Sequence, residues 1–356
     1  HSSSLNNFFK FRMVGFPIFV ILLFFFISIF SYQIMPDKSK MANSINLSIA
    51  KKNPGFSQLF LLIKKESYAD SQSDFQKFFF GVHLPYKKIP IISAKIAGDS
   101  VLFTNYPDGL FESKPISKLY FKGDKSYTDT NTFLLGTDMY GRDLLSRVIL
   151  GTRVSFSVGF ISVLISILIG LPLGLISGYF GGKIDFFICW LINVVWSIPT
   201  LLLVIAISII LGKGFWQVFV AVGLTMWVEV ARVARGEVLR VSQLPYIEIV
   251  QSFGLSDFRI LYKHILPNII NPIIIISAAN FATSVLLESG LSFLGIGVQP
   301  PTPSWGMIIR NHYGLIIMDK AYLSFVPGAC ILLLVLAFML LGNALRDMLD
   351  TRSKNH

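Results

Sequence analysis

Residues 235–268 read RGEVLRVSQLPYIEIVQSFGLSDFRILYKHILPN, and this stretch decides how the chain is organised. It is basic and polar, yet an apolar pattern runs through it. Pro245 suits the first turn of a helix, where its missing N–H costs nothing. Tyr246, Ile249, Val250 and Phe253 fall on one face at helical spacing. Gly254 suits a C-terminal turn. Ser256 is placed to N-cap a second helix, with Asp257 favourable in its first turn. Leu266-Pro267 is expected to end that helix and turn the chain away. The product is a short amphipathic helix held at both ends by apolar segments, an element suited to carrying force to and from a soluble partner.

Those flanking segments are membrane spans. Of the 356 residues, 53% are hydrophobic and 14% charged, and the mean hydropathy is +0.64. A soluble domain carries about 25% charged residues, so this chain cannot cover its own surface in water. A soluble enzyme and a disordered protein are both excluded. A helix needs about 20 apolar residues to cross a bilayer, and six candidates appear: about 13–35, 154–179, 184–211, 215–234, 268–287 and 323–345. The first is longer than a signal peptide's apolar region and ends in Tyr32-Gln33-Ile34-Met35 rather than a small-residue site, so it reads as an uncleaved anchor. Pro172, Pro199 and Pro272 sit inside spans, and kinks are expected there. Cys189 and Cys330 lie in apolar runs and act as small hydrophobes.

Orientation follows from Lys and Arg in short loops. With the N-terminus in the cytoplasm, the inside segments are 1–12, 180–183, 235–267 and 346–356. They carry Lys10, Arg12, Lys183, Arg235, Arg240, Arg259, Lys263, Arg346, Arg352 and Lys354, with Arg232 at the end of span four. The short outside loops hold Lys213, Arg310 and Lys320. Both termini are then inside. The net charge is +11, but fourteen lysines cluster between Lys38 and Lys125, in a polar segment between spans. Such charge solvates a domain, and no nucleic-acid partner is expected. Residues 36–133 lie outside in this arrangement. Pro54–Glu66 has helical apolar spacing, and Ser100–Thr104, Asn105-Tyr106-Pro107-Asp108-Gly109 and Leu110-Phe111 read as a hairpin. A small α+β cap is expected, with a mobile linker as the alternative.

The spacing of Glu248, Gly254 and Leu266-Pro267 resembles the EAA loop of ABC-importer permeases, with Ile249 and Val250 where that loop has alanines and His264 where it has isoleucine. Two further stretches are similar to signatures of the C-type permease subunit of dipeptide, oligopeptide and nickel importers. One is Gly136-Thr137-Asp138-Met139-Tyr140-Gly141-Arg142-Asp143, ahead of span two. The other runs from Leu291 through Gly295, Gly297, Pro300, Pro301 and Trp305 to Gly306, after span five. The resemblance covers about residues 134–352. It implies a type I ABC-importer permease fold: an all-α integral membrane protein of six transmembrane helices, with a small extracytoplasmic α+β insertion between helices 1 and 2. Its parts are then residues 1–35, the cytoplasmic N-terminus and anchor; 36–133, the insertion; and 134–352, the permease core with coupling loop 235–267.

The resemblance also implies partners: a second permease subunit, two cytoplasmic ATPase subunits, an extracytoplasmic solute-binding protein and the lipid of a bacterial inner membrane. No Gly-x-x-x-x-Gly-Lys-Ser/Thr loop occurs in the sequence, so ATP and Mg belong to the ATPases and this chain is not an enzyme. Glu248 is then the polar contact at the ATPase, Tyr246, Ile249, Val250 and Phe253 the apolar dock, and Gly254, Leu266 and Pro267 the shape. The two outer motifs read as structure: a turn entering a helix with Asp138 and Asp143 near its positive end and Arg142 paired to a carboxylate, and a proline-stiffened loop that can also serve a gate. Glu229 and Glu288 are candidates to line the path and meet a cationic group; the competing reading is a pair of Glu229 with Arg232 and an interfacial Glu288. His83, His264 and His312 are far apart in this arrangement, so no metal site is expected. Peptides are the expected cargo, with nickel or another small solute as the alternative. The rivals from other classes are an ion-driven secondary transporter, which couples through intramembrane carboxylates, and a scaffold without transport.

Overall fold

The computed structural model of the chain describes residues 2–66, 72–122, 126–212 and 214–353, with side chains from Val14 to Met348. Of the residues that set the expected orientation, Lys213 and Lys354 and the side chains of Lys10, Arg12 and Arg352 lie outside that description. The chain opens with α1 (Ser2–Ile29) and a single turn, α2 (Ser31–Ile34). There follow β1 (Phe56–Lys64), α3 (Asp74–Phe80), β2 (Tyr86–Ala97), β3 (Ser100–Asn105), β4 (Phe111–Pro115) and β5 (Thr128–Phe133). The rest is built of helices: α4 (Leu144–Phe180), α5 (Gly182–Trp196), α6 (Thr200–Leu211), α7 (Phe215–Ser242), α8 (Pro245–Ser252), α9 (Asp257–Ile260), α10 (Leu266–Leu294), α11 (Trp305–His312) and α12 (Tyr322–Ser353).

Among the described residues, four helical stretches are long and apolar enough to cross a membrane: α4, α7, Asp257–Leu294 and Tyr322–Met348. The expected third span is two helices, α5 and α6, bent by 90° and counted as one crossing at most. Pro199 lacks an N–H and bars Ile198 from helical geometry, so the break falls there. The first expected span falls in α1, whose stretch Val14–Ile29 is apolar. Among the described residues, length and composition support four crossings, or five with the bent pair counted as one. Pro172 and Pro272 stay inside continuous helices. The helix of span two begins ten residues before the apolar run. At 37 residues α4 is about 55 Å long, more than a hydrocarbon core requires.

α4 carries a stripe of buried small residues, Gly151, Ser155, Gly159, Ser162, Ser166, Gly170, Gly174 and Gly178: Gly170, Gly174 and Gly178 meet α7, Gly159 meets Phe281 of α10, and Gly151 meets Trp305 of α11. A β-carbon on Gly170 would sit 2.8 Å from Val230 Cβ, and one on Gly178 2.8 Å from Val238 Cβ. Small residues let helix backbones approach this closely, which is how helices pack inside lipid.

Residues 56–133 form a five-stranded antiparallel sheet of order β4-β3-β2-β1-β5. β3 and β4 are the two arms of the expected hairpin, with Thr104 opposite Phe111. The expected helix at Pro54–Glu66 is instead the strand β1. It lies between β2 and β5 and is covered on both faces. Leu59, Leu61 and Ile63 join Ile91, Val101 and Phe103 in one cluster, while Phe56 and Phe60 join Ile49 and Phe133 in another. A strand buried on both sides loses its alternation, and periodicity then cannot tell it from a helix.

Candidate functional site

α8 begins at Pro245 and ends at Ser252, and Gly254 just beyond it has a φ of +74°, a left-handed conformation that glycine adopts without penalty. Within α8, Ile247 is fully buried. It packs with Val238 and Val241 of α7, Ile260 of α9, and Ile265 and Ile269. Tyr246, Ile249 and Phe253 stay exposed, Phe253 by 79%. Val250 does not share their surface. It is half-buried against the same cluster as Ile247, so the expected four-residue face is corrected to three. Glu248 is exposed. Phe258 and Tyr262 extend the outward apolar surface, 78% and 63% exposed and stacked on one another at 6.3 Å. The sequence reading passed over both, although their i, i+4 spacing was visible.

Three long helices hold this turn. Tyr179, at the end of α4, donates to Asp257 Oδ1 at 2.8 Å and accepts from Gln251 Nε2 at 3.4 Å. Asn268 of α10 donates to the Tyr246 hydroxyl at 3.0 Å. α7 supplies the apolar seat of Ile247. Ser256 stands at the N-cap of α9, but its side chain makes no capping bond. Pro267 does not end the second helix. A π-helical turn at Leu261–Ile265 precedes it, and the chain runs as one apolar helix from Asp257 to Leu294. A wider turn of this kind takes up the carbonyls that a proline leaves without donors.

The two motif segments meet at the other end of α4. Asp138 is fully buried and accepts the Tyr140 and Arg142 N–H groups at 2.8 and 2.9 Å. Arg142 Nε donates to its second oxygen at 2.6 Å, with Arg147 at 3.8 Å. Asp143 caps α4, accepting the Ser146 N–H at 2.8 Å. Thr137 accepts the Lys52 N–H at 2.8 Å. The backbones of Asn46 and Lys51 donate to Tyr140 and Asp138 at 3.0 Å each. A β-carbon on Gly136 or Gly141 would strike the backbone of Lys52–Asn53 or Asn46. Residues 43–53 are thereby clamped to the start of α4.

In the second motif Gly295 ends α10 at φ +84°, and Gly297 and Gly306 pack on Ser292 and Ser289 with no room for a side chain. Pro300-Pro301 lies between them. Trp305 is fully buried. Its indole N–H donates to Val148 O at 3.0 Å, and its ring lies against Gly151 and edge-on to Phe24. His312 joins the motifs: its Nε2 accepts the Met139 N–H at 3.2 Å and its Nδ1 lies 2.6 Å from Ile308 O, which sets the proton on Nδ1. Burial holds this imidazole below its ordinary pKa, against the opposing pull of the Ile308 carbonyl and the Asp138 charge.

Glu288 does not face any opening of this chain. It is fully buried and ringed by hydroxyls of Ser155 (3.3 Å), Ser289 (3.5 Å), Ser292 (2.7 Å) and Ser304. Glu229 lines a cavity of about 80 Å3 at the α5–α6 bend. Arg232, its expected partner, lies over the Trp196 ring. The bidentate pair in this region is Arg235 with Asp185, at 2.5 and 2.7 Å, which ties α5 to α7. Among the described residues no group of His, Cys, Asp or Glu could hold a metal ion.

Long apolar helices packed through small residues, with an amphipathic turn held by three of them, define a polytopic membrane protein. Its residues 170–355 match the family described as binding-protein-dependent transport system inner membrane component, and the chain belongs to that family. It is 40% identical over 221 residues to the glutathione transport system permease protein GsiD of Pectobacterium atrosepticum, covering 62% of this chain and 73% of the relative. It is 38% identical over 217 residues to the dipeptide transport system permease protein DppC of Bacillus subtilis, covering 61% and 68%. Among solved structures, the inward-facing MetNI methionine ABC transporter aligns with a TM-score of 0.48 at 18% identity, over 57% of this chain and 97% of that one.

Proposed function

We propose that this chain is one of two permease subunits forming the path of an ATP-driven peptide importer in a bacterial inner membrane. Glutathione is a tripeptide, so the names of both relatives point to short peptides. α1 and the bent α5–α6 pair complete six crossings, with both termini cytoplasmic and the sheet outside. The α8–α9 turn is then cytoplasmic and receives one of two ATPase subunits, which bind ATP and Mg. A solute-binding protein delivers cargo on the sheet side.

The observation that carries this reading is an apolar surface left open on a turn that α4, α7 and α10 all hold. An ATPase that grips Tyr246, Ile249 and Phe253, with Glu248 as the polar contact, moves three spanning helices at once. Ile247 and Val250 root the turn, and Gly254 shapes its end. The outer motifs act as structure, fixing the start of α4 against α11. Alternating access then follows from rigid-body motion with different contacts in its two states. The test is purification of the chain from its native membrane. ATPase subunits should accompany it and depart when charge is placed at Ile249 or Phe253. A lone chain that transports peptide on an ion gradient would overturn the proposal.

A further inference from the structure

A cleft of about 820 Å3 opens at the root of the sheet, between residues 36–46, the β1–β5 side of the sheet and the start of α4. Small-molecule sites span about 300–1,000 Å3. Asp37 and Asp143 both line it. Asp143 is only 4% exposed. Its Oδ2 serves the helix cap, while its Oδ1 is buried and has no hydrogen-bond partner among the described residues. Asp37 repeats the pattern. Its Oδ1 accepts from the Ser39 N–H at 3.0 Å and the Ser44 hydroxyl at 3.2 Å, and its Oδ2 is buried without a partner. Ser146 links the two: its hydroxyl donates to Asp143 and accepts the Asp37 N–H at 2.9 Å. A buried acceptor without a donor is costly, and here two belong to residues that line one cleft.

The cleft also holds several lysines. Lys88 and Lys122 are paired with Asp129. Lys38, Lys40 and Lys87 also line the cleft and have no ion pair among the described residues. A bare cation would answer the aspartates and leave the lysines; an anion would do the reverse. An ammonium carries three donors, enough to serve both orphan oxygens.

We propose that this cleft binds a small zwitterion, a short unblocked peptide, with its terminal ammonium at Asp37 Oδ2 and Asp143 Oδ1 and its carboxylate toward Lys38, Lys40 and Lys87. The choice of a peptide among zwitterions rests on the import reading, which this deepens by giving cargo a holding site on the permease itself. The test uses binding without transport, so either idea can fail alone.

Trialanine is titrated into the full chain in lipid nanodiscs, without ATP or a binding protein, beside N-acetyl-trialanine and trialanine amide. Blocking either end weakens binding by at least roughly tenfold. Asp143→Asn and Asp37→Asn each do the same. Asparagine remains a good N-cap, so the melting temperature of the Asp143 variant holds. Phe253→Asp leaves trialanine affinity unchanged even as it abolishes uptake. The proposal is overturned by undetectable trialanine binding, by equal binding of the acetylated peptide, or by unchanged affinity in both aspartate variants.

Discussion

Phe253→Asp should detach this chain from its ATPase partners while leaving its own fold intact. The side chain is 79% exposed, so the isolated chain loses almost no packing. Docking covers the ring. Full burial of a phenylalanine is worth about 1.5–3 kcal/mol, and the open fraction of this one puts its share near 2 kcal/mol. A carboxylate in the same apolar seat adds at least about 1 kcal/mol of desolvation. Together these give about 3 kcal/mol, or roughly a hundredfold in affinity. Recovery of ATPase subunits with the purified chain measures the docking, peptide uptake measures the consequence, and a melting curve measures the fold. Ile247→Ala is the counterpart. That residue is fully buried, and truncation costs about 2–5 kcal/mol of stability, so the melting temperature falls as well. If Phe253→Asp kept its ATPases and took up peptide normally, the force-transmitting turn would have been misassigned.

Asp138→Asn leaves the buried Arg142 guanidinium without its countercharge. It should cost about 3 kcal/mol, read as a lower melting temperature and faster proteolysis of residues 36–53. Gly174→Leu has no room against Ala231 and Ala234. It should cost at least about 1–3 kcal/mol and lower the yield of folded protein in detergent. His312 is held below its ordinary value of 6.5, so the unfolded chain binds the proton more readily. Stability is then complete above about pH 6.5 and falls as the pH drops toward the folded value. Melting curves across that range should show the slope, and His312→Gln should flatten it.

Much of this was legible in the chain itself. Pro245 and Gly254 bracket α8 as their backbone preferences require, because those preferences are local. The hairpin at Asn105–Gly109 was equally plain. What failed depended on neighbours distant in sequence. Ile247 and Val250 face inward because α7 and α10 lie on that side, and an eight-residue helix offers too few turns to fix its rotation. Residues 54–66 hid a strand because both faces are covered. Pro267 looked like a stop, and only the π turn before it let the helix continue. The run Gly170, Gly174 and Gly178 marks where the backbones of α4 and α7 nearly touch. Each glycine taken alone looked like ordinary membrane-helix composition. Glu288 was noticed, but Ser155 of α4 and Ser304 ahead of α11 had to converge on it before its surroundings could be known.

The clamp between residues 43–53 and the 136–143 turn has a practical corollary. The strands nearest it are β1 and β5, and β3 and β4 lie at the far side of the sheet. A small tilt at the head of α4 therefore swings the far strands through a wider arc than the helix itself travels. A dye at Leu102, about half exposed on β3, would enlarge that tilt optically, making the sheet a needle on which slight rotations of the bundle can be read.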